Sequence, residues 1–374
     1  MKRRVFLATL PSLACCGLGR AQDGYQSLFD GRTLDGWIVR EGQPSAFYVS
    51  DGAIVIHPSA NYPTWLSTRK AFENFDFRCE FFLKGWSDSG IYIHAAEHGP
   101  PSLTGLKLNI FHQRDEHPKP ESMGSIFPLI APKLVNVREG DWNSMRILMD
   151  WPRLQVWSND EVIHDLNVES FPELRYRLGS GYIGIESLPY PVRFRNLKVR
   201  ELPAKESWEV LYDQPEDFSN WVVSEGTPRF QPLNDVLFGD GLGHIATRTQ
   251  YRDFELQMYI RADRFHNGGV LFRTSGEGLK SKRHYEIQLH NVAEAHYPTG
   301  SLYYFKRARY PNIQDYEWCL FQLRVEGPQC MVRINGETVL EYGELKDLEE
   351  GHIELQAHQQ GKWTEFKKIR IKRL

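Results

Sequence analysis

FENFDFRCEFFLK, residues 72–84, is matched later in the chain by YRDFELQMYIRA, residues 251–262. Both segments are rich in aromatic residues and alternate apolar with polar side chains, which is the pattern of a β-strand that places one face in a core. The sequence therefore predicts the same strand twice. Phe75 and Phe254, which are equivalent in the two segments, lie 179 residues apart.

The match extends well beyond this strand. DSGIYIHA, from Asp88, corresponds to NGGVLFRT, from Asn267, at the same spacing of 179 residues. After a small change in length the equivalent residues lie 176 apart, as Trp142 and Trp318 do. A register kept this long indicates two whole domains rather than the short units of a solenoid. We predict a first domain at residues 23–202 and a second at residues 206–374, with a short linker at 203–205.

Each unit is predicted to be all-β. Strand-like segments such as SMRILMDW, LQVWSN, LFQLRVEG and CMVRING follow one another, and Asn159-Asp160 and Asn335-Gly336 are typical hairpin turns. No segment shows a long apolar repeat of 3.6 residues. Many short strands joined by glycine-containing turns favour a sandwich. The predicted fold is two tandem jelly-roll β-sandwiches, each with a concave face.

Composition excludes several partners. A net charge of -3 over 374 residues gives no reason to expect nucleic acid or an anionic membrane. Outside the N-terminus, Cys79, Cys319 and Cys330 are an odd number without metal-site spacing, so we interpret them as buried small apolar residues.

The N-terminus resembles an export signal. Basic Lys2-Arg3-Arg4 precedes a short apolar segment, and Gly19-Arg20-Ala21 suits cleavage before Gln22. The apolar segment is too short to span a bilayer, so no transmembrane segment is expected in the mature chain. We interpret residues 1–22 as a signal peptide, either secretory or of the twin-arginine type, and expect a periplasmic or secreted protein. Ser12-Leu13-Ala14-Cys15 leaves lipoprotein anchoring as an alternative.

The most informative polar pattern is in HYEIQLHNVAEAHYPTGSLYYF, residues 284–305. Tyr285, Ile287 and Leu289 alternate with Glu286, Gln288 and His290. The second set therefore shares one strand face, with about 6–7 Å between successive members. A carboxylate, a carboxamide and an imidazole in one row are better suited to chemistry than to a plain solvated face.

These motifs resemble the domain of unknown function 1080, a family described as 3-keto-disaccharide hydrolase with a concanavalin-like β-sandwich. The resemblance covers almost the whole mature chain, once per unit. In the second unit it is carried by a series of short motifs in fixed order. They are Asn267-Gly268-Gly269, Arg273, Tyr285-Glu286-Ile287-Gln288, His296, Gly300-Ser301-Leu302-Tyr303, Glu317-Trp318, Asn335-Gly336 and Gln356-Ala357-His358. His290 departs from the family pattern, which usually has Asp at this position.

The first unit lacks the polar row. Lys107 replaces Glu286, Asn109 replaces Gln288 and Phe111 replaces His290. An ammonium group cannot do the acid–base work of a carboxylate, so we expect the first unit to be catalytically silent.

The resemblance implies an exported carbohydrate-active enzyme that cleaves 3-keto-glycosides. The ketone at carbon 3 acidifies the hydrogen on carbon 2, so a base can form an enolate that expels the group on carbon 1; hydration then completes a net hydrolysis. Glu286 is the expected base and His296 the expected acid, with Arg273 either holding the oxyanion or pairing with Glu286. Substrate contacts are expected from Asn267, Gln288, His290, Tyr303, Lys306 and His358.

Two questions stay open from the sequence. Glu286, His290 and His358 are candidate ligands for a divalent metal ion, although no contiguous spacing demonstrates such a site. The main alternative function is a lectin-like protein that binds glycans without cleaving them, and a third is a pair of sandwiches serving only as interaction spacers.

Overall fold

The computed structural model describes residues 24–113, 115–276, 284–311 and 313–374. The predicted signal peptide, residues 1–22, lies outside this part of the chain. Within the described residues no helix is long and apolar enough to cross a membrane.

The first half contains thirteen of the described strands. They are β1 (Gln26–Ser27), β2 (Trp37–Arg40), β3 (Phe47–Ser50), β4 (Ala53–Ile56), β5 (Trp65–Thr68), β6 (Phe75–Phe82), β7 (Asp88–Ala95), β8 (Leu106–Phe111), β9 (Trp142–Asp150), β10 (Arg153–Ser158), β11 (Glu161–Asn167), β12 (Tyr182–Glu186) and β13 (Arg193–Glu201). One α-helical turn, α1 (Pro101–Thr104), and short 3-10 segments at Pro44–Ala46 and Val168–Ser170 complete the described half.

The second half contains eleven described strands. They are β14 (Glu209–Tyr212), β15 (Trp221–Leu233), β16 (Val236–Thr247), β17 (Phe254–Ala262), β18 (Asn267–Thr274), β19 (Tyr285–His290), β20 (Cys319–Glu326), β21 (Gln329–Ile334), β22 (Glu337–Tyr342), β23 (His352–Ala357) and β24 (Thr364–Arg373). A 3-10 segment, Pro215–Asn220, precedes β15.

The described strands pair only within their own half. In the first half, one sheet has the order β11-β10-β9-β6-β13-β4-β3 with β1 beside β13, and a second has the order β2-β5-β12-β7-β8. In the second half the corresponding layers are continuous, in the order β19-β18-β23-β16-β24-β17-β20-β21-β22. Strand β16 joins them, because its start pairs with β24 and its end pairs with β23. The protein is two tandem jelly-roll sandwiches of the concanavalin-like type, as predicted.

Each sandwich has its own apolar core between the layers. The alternating residues of β6 and β17 supply Phe75, Phe77 and Phe254, all with at most 1% of their surface exposed. Cys79, Cys319 and Cys330 are buried free thiols, which confirms their interpretation as small core residues. The predicted hairpin turns are present, and Asn159, Asp160 and Asn335 have positive φ angles that asparagine and aspartate tolerate better than most residues.

Candidate functional site

The polar row lies on β19, at the end of the concave layer of the second half. Its neighbour β18 pairs Leu271 with Glu286 and Gly269 with Gln288. On the other side of β18, β23 pairs Gly269 with Gln356, and β16 in turn pairs His244 with Gln356. Residues paired across a sheet share a face. The fold therefore extends the predicted row sideways over four strands.

The segment after β19 folds back over it and forms one wall of the site. The amide of Gly300 donates to the carbonyl of Gln288 at 2.9 Å, and the amide of Tyr303 donates to the carbonyl of Glu286 at 2.9 Å. These bonds bring Tyr303 next to Glu286. The intervening loop, which carries His296 and Tyr297, closes the end of the site.

These elements enclose a cavity of about 710 Å³. Its size is within the range of small-molecule sites, which is roughly 300–1,000 Å³. Seven residues predicted from the sequence for catalysis or substrate contact line it. The lining residues are Asn267, His284, Glu286, Gln288, His290, Ala295, His296, Tyr297, Tyr303, Tyr304, Gln356 and His358.

Glu286 is the most perturbed acid of the cavity. Its side chain is only 6% exposed, and among the described residues it has no hydrogen bond or ion pair. Burial raises its pKa to about 7, against a smaller opposing effect of His244. Gly269 makes room for it, since a Cβ there would lie 2.4 Å from Glu286 Oε1. A carboxylate with a pKa near neutrality is suited to general-base catalysis.

Sequence reasoning missed a second layer of polar residues beneath the cavity. Glu354 is fully buried and accepts hydrogen bonds from the hydroxyls of Thr274 and Ser224, while His244 Nδ1 lies 3.2 Å from its carboxylate. Burial works against ionisation of Glu354, but these three hydrogen bonds outweigh it and lower its pKa.

His244 connects this layer to the cavity. Its Nδ1 lies 3.2 Å from the Glu354 carboxylate, and its Nε2 lies 3.2 Å from Gln356 Nε2. The alternation of Glu354, Gln356 and His358 was a sequence signal for this face. The segment around His244, GDGLGHIAT, gave none, because a single histidine among glycines has no pattern.

Histidines surround the far end of the cavity. Burial lowers the pKa of His290, with a further contribution from the nearby charge of His358. His266, behind Gly268, has its pKa lowered to about 4 by burial, and His290 and His358 act in the same direction. With its pKa near 4, His266 is a neutral donor or acceptor near pH 7.

Arg273 is not part of the cavity. Its side chain is fully buried, and its guanidinium donates to the carbonyls of Arg252, Asp347 and Gly327 and to Asp253 Oδ1 at 3.1 Å. The expected alternatives, an oxyanion contact or an ion pair with Glu286, are both replaced by this bonding. The physical reason is a left-handed backbone at Arg273, with a φ of 52°, beside an irregularity in the pairing of β18 with β23.

Two further predictions do not match the geometry of the cavity: the substrate contact of Lys306 and the set of candidate metal ligands. Lys306 is exposed on the turn after Tyr303 and does not line the cavity. Glu286 and His290 are four residues apart on one strand, which is about 13 Å along the chain. Among the described residues no group of three His, Cys, Asp or Glu side chains is arranged to hold a metal ion. Glu286, His290 and His358 line one cavity without forming a ligand set.

The equivalent place in the first half is closed by an ion pair. Lys107 Nζ lies 2.5 Å from Glu186 Oε2, and both side chains are buried. Glu186 also accepts a hydrogen bond from the hydroxyl of Tyr92 at 2.8 Å. The charge of Lys107 is thus neutralised by Glu186, whereas Glu286 has no such partner among the described residues.

The 3-keto-alpha-glucoside-1,2-lyase-like domain matches residues 24–200 and again residues 206–372. A 3-keto-disaccharide hydrolase of Bacteroides thetaiotaomicron is 23% identical over 229 residues, covering 48% of this chain and 79% of that protein. A structure described as a glycosyl hydrolase of Parabacteroides distasonis is 21% identical with a TM-score of 0.43, covering 48% of this chain and 95% of that one. A carbohydrate-binding module of Bacillus subtilis is 15% identical with a TM-score of 0.32, covering 41% and 95% respectively.

The family match spans nearly all of the chain in two consecutive copies, in agreement with the duplication and with the resemblance found in the motifs. The protein therefore belongs to the family of 3-keto-alpha-glucoside-1,2-lyase-like domains, and carries two of them in tandem.

Proposed function

We propose that the second half cleaves 3-keto-glycosides by removing the proton on carbon 2, with Glu286 as the base. The observation that carries the proposal is the state of Glu286: a buried carboxyl, without a described partner, whose pKa is raised to about 7 in a cavity lined by polar groups. The family and the Bacteroides relative, a 3-keto-disaccharide hydrolase, support the substrate class.

The reaction proceeds by elimination followed by hydration. Glu286 takes the proton from carbon 2, and the electron pair of that C–H bond forms the enolate with the carbon 3 ketone. The enolate then expels the oxygen on carbon 1, which leaves with a proton from the acid, and an unsaturated keto sugar remains. Water adds across the new double bond to give the free 3-keto sugar, which balances as a hydrolysis.

The other cavity residues supply the acid and the donors. His296, on the loop that closes the cavity, protonates the leaving oxygen. Gln288 Nε2 donates to Asn267 Oδ1, so the amide nitrogen of Asn267 is left to donate to the substrate. A hydrogen bond with Tyr304 and burial raise the pKa of Tyr303 to about 12, so its hydroxyl stays a donor that stabilises the enolate. No step requires Arg273 or a metal ion.

The test is Glu286→Gln, measured as release of 3-keto-glucose from a 3-keto-disaccharide. We expect turnover to fall by about a thousandfold or more, since general-base catalysis alone contributes roughly 10²–10⁴-fold. The matched control is the double substitution Lys107→Met with Glu186→Gln, which changes the equivalent position of the first half and should leave turnover intact. Unchanged turnover in the Glu286 variant would contradict the proposal.

One observation favours a second candidate, glycan binding without cleavage. Tyr297, Tyr303 and Tyr304 form a ring cluster at the cavity, and Tyr304 is 75% exposed, as a sugar-stacking platform would be. Calorimetry with a disaccharide and its 3-keto form separates the two functions. Tight binding of both sugars without product release supports the binding protein, and turnover of the 3-keto form supports the enzyme.

The proposal places this activity outside the cytoplasm. It is supported by the basic and apolar pattern of residues 1–22 in the sequence. N-terminal sequencing of the protein recovered from the periplasm or medium should begin at Gln22. A chain that retains Met1 in the cytoplasmic fraction contradicts this part of the proposal.

A further inference from the structure

The two halves meet where the hairpin turn between β21 and β22 rests on α1 of the first half. A Cβ added to Gly336 would lie 2.4 Å from the carbonyl oxygen of Leu103, so the two backbones are in direct contact. Nearby, the amide of Glu97 donates to the Tyr259 hydroxyl at 2.7 Å. Beside the contact of Gly336 with Leu103 lies a small cavity of about 40 Å³, which is lined by residues of both halves.

The residues that line that cavity include Arg177 of the first half and Arg333 of the second. Arg333, on β21, is only 6% exposed, and its Nε and one terminal nitrogen are buried without a hydrogen-bond partner. Its other terminal nitrogen donates to the carbonyl of Gly336. Arg177 uses one terminal nitrogen to donate to the carbonyls of Ser102 and Gly105. Both guanidiniums are therefore held beside α1 by neutral carbonyl groups.

Two of the three acidic residues that line this cavity, Glu206 and Glu255, are already bound to other cations, and the third, Glu169, is exposed to solvent. Glu255 lies 2.9 Å from Arg324 and 2.7 Å from Lys372, and Glu206 lies 2.6 Å from Lys372. Among the described residues, no carboxylate is within ion-pair distance of Arg177 or Arg333. A buried cation without a counter-ion costs several kcal/mol, so such an arrangement calls for an anion.

We propose that the cavity between Arg177 and Arg333 binds a small free oxyanion of the phosphate or sulfate class, which joins the two halves. The planar guanidinium presents paired N–H groups that match oxyanion oxygens, and the unpartnered nitrogens of Arg333 are available for this geometry. The size agrees, because one water requires about 10–15 Å³ by the same measure and the cavity holds only a few such volumes. The position is separate from the cavity of Glu286, with which it shares no lining residue.

The electrostatics of both arginines agree with this site. Burial lowers the pKa of Arg333 to about 10, and the neighbouring charge of Arg177 acts in the same direction. Burial likewise lowers the pKa of Arg177 to about 10. Both remain cationic near pH 7, and a bound oxyanion relieves the repulsion between them.

The experiment measures the melting temperature of the whole protein in potassium phosphate and in potassium chloride at equal ionic strength. At saturating phosphate we expect a rise of about 2–4 °C over chloride. Calorimetry should give one phosphate per chain, and sulfate should compete with it. An equal melting temperature in both salts, or no heat of phosphate binding, overturns the proposal.

Arg333→Met is the decisive variant. It removes the uncompensated charge and keeps much of the apolar stem, so it should be at least as stable as the wild type in chloride and lose the phosphate response. Arg153→Met is the matched control, because Arg153 is an exposed arginine that is paired with Asp165 and does not line the cavity, and it should respond like the wild type. A phosphate response that persists in Arg333→Met contradicts the assignment. If that variant does not fold, calorimetry on the wild type and on Arg153→Met decides.

Discussion

Lys107 and Glu286 occupy equivalent positions in the two sandwiches and are equally buried, at 5% and 6% exposure. Their neighbours differ. Lys107 faces Glu186, the equivalent of Gln356, at 2.5 Å, and lies over the ring of Phe127, the equivalent of Tyr303, at 4.4 Å. Among the described residues, the carboxyl of Glu286 has no ion pair and no hydrogen bond. The same burial thus produces a neutralised charge in one half and, in the other, a carboxyl whose pKa is raised to about 7.

The residues beneath the two positions also differ: they are polar in the second half and apolar in the first. Trp65 stands in the first half where His244 stands in the second, and its ring fills the space above Gly184, the counterpart of Glu354. Trp65 and Tyr92 belong to an apolar cluster there. Both layers around the proposed base are therefore changed together in the first half.

The largest effect is expected from Lys107→Met. This change leaves Glu186 buried without its cation, and breaking a buried ion pair in this way costs about 3–5 kcal/mol. Denaturant unfolding of the first half should show this loss. Adding Glu186→Gln removes the stranded charge, keeps an acceptor for Tyr92 and should recover most of the stability. A double variant no more stable than the single one contradicts a compensated pair.

Glu286→Gln should have the opposite sign in the second half. The pKa of Glu286 is raised from 4.5 to about 7 in the folded protein, so ionisation opposes folding. Below pH 4.5 the carboxyl is protonated in both states and contributes no pH dependence; above pH 7 the full cost, about 3 kcal/mol, is present.

The variant should therefore be more stable than the wild type at pH 8 and closely similar to it at pH 4. Urea unfolding at the two pH values measures the difference. If the variant is less stable than the wild type at pH 8, the charge of Glu286 is compensated in the folded protein. Glu286 and Lys107 would then not differ in the way described above.

The sequence alone predicts most of the fold, because the patterns that specify it are local. Strand alternation, hairpin residues and the repeated register each depend on a few neighbouring positions, and the concave polar row of β19 follows from the alternation of Glu286, Gln288 and His290. Even the loss of this row in the first half is visible by alignment of the two copies.

The features of the site that the sequence did not reveal depend on pairing between distant strands. His244 reaches the site only because β16 pairs with β23, more than 100 residues later in the chain. Arg273 was misplaced for a related reason. It lies on the strand next to Glu286, but a local left-handed backbone sends its side chain to Asp253 instead. Alternation along a strand does not reveal such irregularities.

His244→Gln tests the buried layer through the pH profile of turnover. Because the charge of His244 lowers the pKa of Glu286, its removal should move the acid limb of the profile to higher pH. Loss of the positioning contacts should also reduce turnover by about tenfold to a hundredfold. His164→Gln is the matched control, since His164 is a buried histidine of the first half whose Nε2 lies 2.8 Å from the Gly124 carbonyl. A shift of the acid limb in both variants argues against a specific link between His244 and Glu286.

The smallest effects are expected from alanine at the two equivalent glycines. A Cβ at Gly269 would lie 2.4 Å from Glu286 Oε1, and a Cβ at Gly90 would lie 2.6 Å from Lys107 Cε. Neither glycine has a positive φ, so each alanine acts through the neighbouring side chain and not through backbone strain. Gly269→Ala should displace the base and lower turnover by about tenfold, or about 1.4 kcal/mol.

Gly90→Ala should instead lower only the stability of the first half, by about 1–3 kcal/mol, because Lys107 must move in a packed site. Turnover and urea unfolding of both variants provide the comparison. Equal turnover in the two variants would show that catalysis does not depend on where the Glu286 carboxylate lies, because each alanine crowds the same strand position and only one of them touches the base.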